Sequence, residues 1–156
     1  MSPPPGPSVL STPRHADRRV ARIVTLFEQL TPADVSRLGE HYTLDARFKD
    51  PFNQAQGVTQ IQRIFGHMFE ALAEPRFVVH DILVERDQCF LTWDFVFRFR
   101  RFSNDLQTVH GSSHLHLAAD GRIAAHRDYW DAAEELYEKL PVLGVLMRWL
   151  RRSASA

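Results

Sequence analysis

Four successive stretches between residues 76 and 130 are built from β-formers: "RFVVHDILVE", "CFLTWDFVFRFRRF", "LQTVHGSSHLHLAA" and "RIAAHRDYW". Short polar breaks separate them, "RDQ" after the first and Asp120-Gly121 before the last, and the latter is a strong hairpin signal. A run of this kind folds as an antiparallel meander, and one of its faces must be covered. The cover is N-terminal. From Asp17 to Leu30, Val20, Ile23, Val24, Phe27 and Leu30 recur at helical spacing. Thr31 then caps, and Pro32 begins, a second short helix running to about Tyr42. "DARFKDPF" reads as a brief strand stopped by Asp50-Pro51. "GVTQIQRIFGHMFEALAEP" sets Ile61, Ile64, Phe65, Met68, Phe69 and Leu72 on one face of a third helix, closed by Pro75. The expected fold is α+β, a curved antiparallel sheet wrapping N-terminal helices, with an extra C-terminal helix.

A chain of 156 residues has room for one domain with one sizeable core. Its zero net charge argues against a dedicated nucleic-acid binder. "FVFRFRRF" interleaves aromatics with arginines, but alternation explains it: Trp93, Phe95, Phe97 and Phe99 inward, Arg98 and Arg100 outward. The single Cys89 allows no intrachain disulfide and fits a reducing, cytoplasmic setting. No basic group is placed to activate it as a nucleophile. The opening "SPPPGPSVLSTP" has no apolar signal core, and residues 1–16 read as a disordered Pro-rich tail. Residues 17–135 form the expected domain and 136–156 an amphipathic helical extension. In that extension Val142, Leu143, Leu146, Trp149 and Leu150 sit among basic residues, and "LPVLGVLMRWL" is too short to span a bilayer. Covering its own fold or a dimer mate is favoured over lying on a membrane surface.

The helices, "ARFKDPFNQAQGVTQI", the long meander and a last strand ending in "HRDYW" together resemble the nuclear-transport-factor-2-like superfamily. Within it the chain looks like SnoaL-like proteins and ketosteroid isomerases. The resemblance covers roughly residues 17–135. It implies a cone-shaped fold with an apolar pocket between sheet and helices. It also implies that Asp50-Pro51 stands where ketosteroid isomerases carry their general base. Leu26 stands where those enzymes have an oxyanion tyrosine, and Ser113 where they have a protonated aspartate, so steroid isomerisation by that mechanism is not implied. SnoaL-like cyclases use an aspartate of a late strand as acid–base with a histidine nearby, and Asp128 resembles that aspartate in position. Members often dimerise through the outer sheet face, where Tyr129 and Arg127 fall. The superfamily also includes non-enzymatic binders, so fold alone does not set function.

Taking Asp120-Gly121 as a two-residue turn places Leu115 opposite His126, Ser113 opposite Asp128 and Gly111 opposite Trp130. Cross-strand partners share a face. Ser113 holds the family's pocket-facing position, so His126, Asp128 and Trp130 face the pocket, while Arg127 and Tyr129 point away. The expected site is then Asp128 as acid–base, His126 as its helper and Asp50 as an auxiliary carboxylate. Trp130, Trp93, Phe95, Phe97, Ser113, Leu115, Leu26 and Phe65 would supply the walls. Apolar surroundings disfavour the charged form of a carboxyl group, which suits it to proton transfer. The structural alternatives are a core arginine pairing Asp128, a satisfied buried His126 and an Asx turn at Asp50. His110, His114 and His116 form an alternating row that faces away from the pocket and lacks a completing ligand, so no metal site is expected. No Gly-rich phosphate loop indicates a cofactor. Asp131, three residues before Glu134, reads as a helix N-cap. Two functions fit: a cofactor-free isomerase- or lyase-type enzyme acting on a small apolar carbonyl compound, or a non-enzymatic lipid or polyketide carrier or assembly module. In either case the expected partners are a small apolar molecule and a second copy of the chain.

Overall fold

The computed structural model describes residues 14–101 and 104–137. Most of the Pro-rich opening and nearly all of the C-terminal extension lie outside the described residues.

Helix α1 spans Arg18–Gln29, and the Asp17 carboxylate caps it by accepting from the Arg19 amide. Arg19 in turn donates to Asp87 and to the Arg86 carbonyl, tying the helix start to a distant hairpin turn. Thr31 and Asp34 form a reciprocal capping box on α2, Pro32–Val35. That helix is shorter than expected. After a 3₁₀ turn at Leu38–Glu40, Tyr42 opens strand β1, Tyr42–Lys49, instead of closing a helix. Strand β2, Gln54–Gln56, returns against β1, and helix α3, Val58–Ala71, follows Gly57, whose φ of 94° suits glycine. Then come β3 (Leu72–Glu85), β4 (Gln88–Phe99), β5 (Leu106–Leu117), β6 (Ile123–Tyr129) and α4 (Ala132–Glu135). Asp131 caps α4, accepting from the Ala133 and Glu134 amides.

Pro75 does not close α3. The helix stops at Ala71, and Pro75 sits inside β3 beside Glu74, whose φ is 52°. The ladder to β4 shifts register between Ala73 and Arg76. β3 is an edge strand, and an edge bulge is where a residue without an amide hydrogen is tolerated.

The six strands run in the order β2-β1-β6-β5-β4-β3. The expected antiparallel meander is present, but the sheet also contains one parallel pair, β1 with β6. α3 carries the chain from the β1–β2 edge to the opposite edge, and the meander then returns to lie beside β1. The inner face packs Ala46, Phe48, Val79, Cys89, Leu91, Trp93, Leu115 and Ile123 against Val20, Ile23, Val24 and Phe27 of α1 and Ile61 and Phe65 of α3. Each such fully buried large apolar side chain contributes about 1.5–3 kcal/mol.

The last hairpin differs from expectation in two places. The Ala118 amide donates to the Arg122 carbonyl at 2.7 Å, and the Gly121 amide donates to the Ala118 carbonyl at 2.9 Å. The loop is therefore the three residues Ala119, Asp120 and Gly121, with Gly121 at φ 85°. A three-residue loop moves every partner by one. A bulge follows, because Leu117 pairs with Ile123 while His116 pairs with Ala125. The extra Ala124 restores Leu115 to His126 and Ser113 to Asp128.

Candidate active site

A cavity of about 640 Å³ opens between α3, the end of α1 and the inner face of the sheet. This is a usual size for a small-molecule site. Its deep walls are Phe27, Phe48, Phe65, Phe77, Trp93, Phe95, Phe97 and Val109. Phe52, Trp130 and Leu136 flank it further out, with the Phe52 and Trp130 rings edge to face at 5.3 Å.

Four strands bring a polar chain to this apolar cavity. Tyr42 from β1 hydrogen-bonds His126 Nδ1 at 2.7 Å. His126 Nε2 lies 2.7 Å from Asp128 Oδ1 on the same face of β6. Ser113 of β5 donates to the same Oδ1 at 2.5 Å, and Trp93 Nε1 of β4 donates to Ser113 Oγ at 2.9 Å. The imidazole is 3% exposed and the carboxylate 14%. The rings of Phe27 and Phe48 pack on His126 with centroids at 5.6 and 4.9 Å, and Tyr42 stacks on it at 6.0 Å.

The hydrogens of this chain have a direction. Trp93 Nε1 can only donate, so the Ser113 hydroxyl accepts from it and sends its own hydrogen to Asp128. Complete burial, with the nearby charge of Asp128, pushes the Tyr42 phenol well above its ordinary range. Tyr42 therefore keeps its proton and donates it to His126 Nδ1, which leaves Nε2–H to donate to Asp128. Two donors converge on Oδ1. Oδ2 takes no hydrogen bond from any described residue, and Asp128 lines the cavity.

Tyr42→Phe should remove the donor that sets this tautomer. The expected result is a loss of about 1–3 kcal/mol of stability, because Nδ1 is left buried and unpaired. Nitrogen-15 NMR of the His126 ring should show a single Nε2–H tautomer in the wild type and a mixture in the variant. An unchanged tautomer with an unchanged melting point would contradict the direction assigned here.

Trp93, Phe95, Phe97, Phe65, Ser113, His126, Asp128, Asp50 and Trp130 all line the cavity. Leu26 and Leu115 do not. Leu115, although opposite His126, is wholly buried in the core, beside Cys89 in the ladder. Leu26 is also buried in the core, and its neighbour Phe27 supplies the α1 wall. Asp128 is paired by Ser113 and His126, and among the described residues no arginine takes that place. Asp50 reaches the cavity mouth, but its carboxylate is held in an Asx turn. It accepts from the Phe52 and Asn53 amides at 2.7 and 2.6 Å and from the Asn53 side chain at 3.1 and 3.0 Å.

Tyr42, Phe27, Phe48, Phe77 and Val109 are among the site positions that sequence reasoning passes over. The usable signal was parity: Tyr42, Ala46 and Phe48 are buried at even spacing once "YTLDARFK" is read as a strand. Cys89 is wholly buried, and burial pushes its thiol up to about 11, so it is no nucleophile. His110, His114 and His116 lie on the outer face, where His110 bonds Asp94 and His114 bonds Gln88. Arg127 stacks over Tyr129 on that face, 4.8 Å from the ring centroid.

The α+β architecture, a curved open sheet packed against its helices, is that of the nuclear-transport-factor-2-like fold. A family model for the SnoaL-like domain matches residues 23–126, and the chain belongs to the SnoaL-like family. Among solved structures it is similar to a candidate SnoaL-like polyketide cyclase from Jannaschia sp. CCS1, with 21% identity, a TM-score of 0.64 and coverage of 74% of this chain and 87% of that one. It is also similar to a protein with a ketosteroid isomerase-like fold from Catenulispora acidiphila DSM 44928, solved with trimethylamine, at 13% identity, TM-score 0.66 and coverage of 77% and 90%. AclR, a candidate hydroxylase from Streptomyces galilaeus, aligns at 19% identity and TM-score 0.63 over 79% and 97%. At these identities the likeness concerns the fold. No curated protein matches the chain. Among the described residues no helix is long and apolar enough to cross a membrane.

Proposed function

We propose that this protein is a cofactor-independent acid–base enzyme that moves a proton on an apolar carbonyl compound, in an isomerisation, cyclisation or dehydration. One observation carries the reading. Asp128 is gripped by two donors through Oδ1 and leaves Oδ2 to a cavity walled by aromatic rings. A carboxylate held this way has a fixed position and one working oxygen. Oδ2 takes a proton from the carbon beside the ligand carbonyl, so that a C–H bond breaks and a carboxyl O–H forms. The same oxygen then returns the proton to another atom of the ligand, and Asp128 ends as it began. Ser113 and His126 hold the group still through both transfers, which keeps the reacting atoms aligned. The aromatic walls suit a flat ring system, and the description of the Jannaschia structure as a candidate polyketide cyclase supports a polyketide-like ring compound.

The test is a thermal-shift panel of steroids, aromatic polyketide-like ketones, fatty acids and epoxides, run at several pH values. The reading expects at least one ring ketone to raise the melting point by several degrees through selective binding to the folded state. Failure of every apolar ligand to stabilise the chain would overturn it.

A further inference from the structure

The mouth of the cavity differs in chemistry from its floor. Beyond the aromatic walls its lining turns polar: Asp50, Asn53, Gln54, Gln60, Arg63 and His67. Gln60, Arg63 and His67 are spaced three and four residues apart on α3, so they form one edge of the helix beside the apolar row of Ile64, Phe65 and Met68. The Asp50 carboxylate already accepts from the Phe52 and Asn53 amides and the Asn53 side chain. The Arg63 side of the mouth has no such partner among the described residues. Arg63 and His67 make no hydrogen bond or ion pair with any other described residue. Among the described residues Arg63 is also the only arginine lining the cavity. The carboxylate at the mouth is therefore occupied, while Arg63 and His67 have no partner among the described residues.

The floor carries the opposite sign. An anion placed deep in the cavity would meet the Asp128 carboxylate among apolar walls, where like charges repel most strongly. At the mouth it would meet a guanidinium, whose planar fork matches a carboxylate. The two ends thus favour a single orientation for a ligand with one charged end. We propose that the cavity selects an acid: a flat apolar body that reaches Asp128, carrying a carboxylate that stays at the rim against Arg63, with His67 one turn away. This rests on the pocket reading above and adds the charge class and direction of the ligand.

The test uses a fluorescent pair differing only in charge, 4-(1-pyrenyl)butanoic acid and its primary amide, titrated into the full chain. In the wild type the acid is expected to bind about fivefold more tightly than the amide, the upper end for a solvent-facing ion pair. Raising the salt concentration should shrink that preference. Arg63→Ala should abolish it and Arg63→Glu should invert it, with amide affinity changing much less than acid affinity in both. Arg47→Ala removes an exposed arginine that does not line the cavity and should leave the preference intact. Equal binding of acid and amide by the wild type, or a preference that survives Arg63→Glu, would overturn the proposal and leave the pocket reading standing. Binding of neither probe would overturn both.

Discussion

Asp128→Asn is expected to lower turnover by about 10²–10⁴-fold, the usual worth of a positioned acid–base group. Affinity for the same ligand should stay within about threefold. The asymmetry follows from the geometry at the floor. The asparagine carbonyl can still accept from Ser113 and His126, so the chain from Trp93 to Tyr42 keeps its partners. What the amide cannot do is accept a proton on the side that faces the cavity. The melting point should therefore move by only a few degrees. Asp128→Ala is the contrasting variant, because it leaves two buried donors without an acceptor and costs about 1–3 kcal/mol for each. Turnover that survives Asp128→Asn with only an affinity change would mean that the pair serves packing and ligand contact.

Gly111→Ala should be the most damaging single methyl group in the sheet. Gly111 lies opposite Trp93 in the β4–β5 ladder, and a Cβ there would stand within 2.8 Å of three indole atoms, Cη2, Cζ3 and Cζ2. The absent side chain is the space that lets the indole lie across β5 and donate to Ser113. Adding the methyl group forces the ring away and should cost about 1–3 kcal/mol by overpacking. That corresponds to a melting-point drop of roughly 3–10 °C for a domain of this size. Tryptophan emission should change with it. Gly66→Ala is the internal control: nothing lies within 4 Å of a Cβ there, and Gly66 sits inside α3. That change should stabilise by about 0.5–1 kcal/mol. If both substitutions behaved alike, the account of Trp93 would fail.

Much of the fold was legible because alternation and capping are local. The inward row of Trp93, Phe95, Phe97 and Phe99 and the caps at Thr31 and Asp131 needed no tertiary knowledge. The sheet face carrying His126 and Asp128 was reached by a two-residue turn that does not exist. The real loop has three residues, and the bulge at Ala124 cancels the difference. Nothing in "AADGRIAAH" announces that bulge, since alanine suits either state. The place of Tyr42 was hidden because "LGEHYTL" carries no strand alternation before the parallel pairing with β6 organises it. Pro75 misled for a related reason. Proline breaks central strands, and only the sheet order shows that β3 is an edge. Analogy of position points to Leu26, whereas the rotation of α1 presents Phe27 to the cavity. The Asx turn at Asp50 is local and legible from Asp50-Pro51, but charge satisfaction is a tertiary property, so the lack of a described partner for Arg63 could not be read from spacing.

The claim that Asp128 takes a proton from a bound ligand is tested most directly by isotope exchange. A ring ketone that stabilises the protein is incubated with it in D₂O, and the signal of the hydrogen beside the carbonyl is followed by NMR. The account predicts that the wild type replaces that hydrogen with deuterium well above the buffer rate, and that Asp128→Asn binds the ketone without exchanging it. A wild-type protein that binds the ketone and leaves the hydrogen in place would contradict the account and make the cavity a site for carrying, not chemistry.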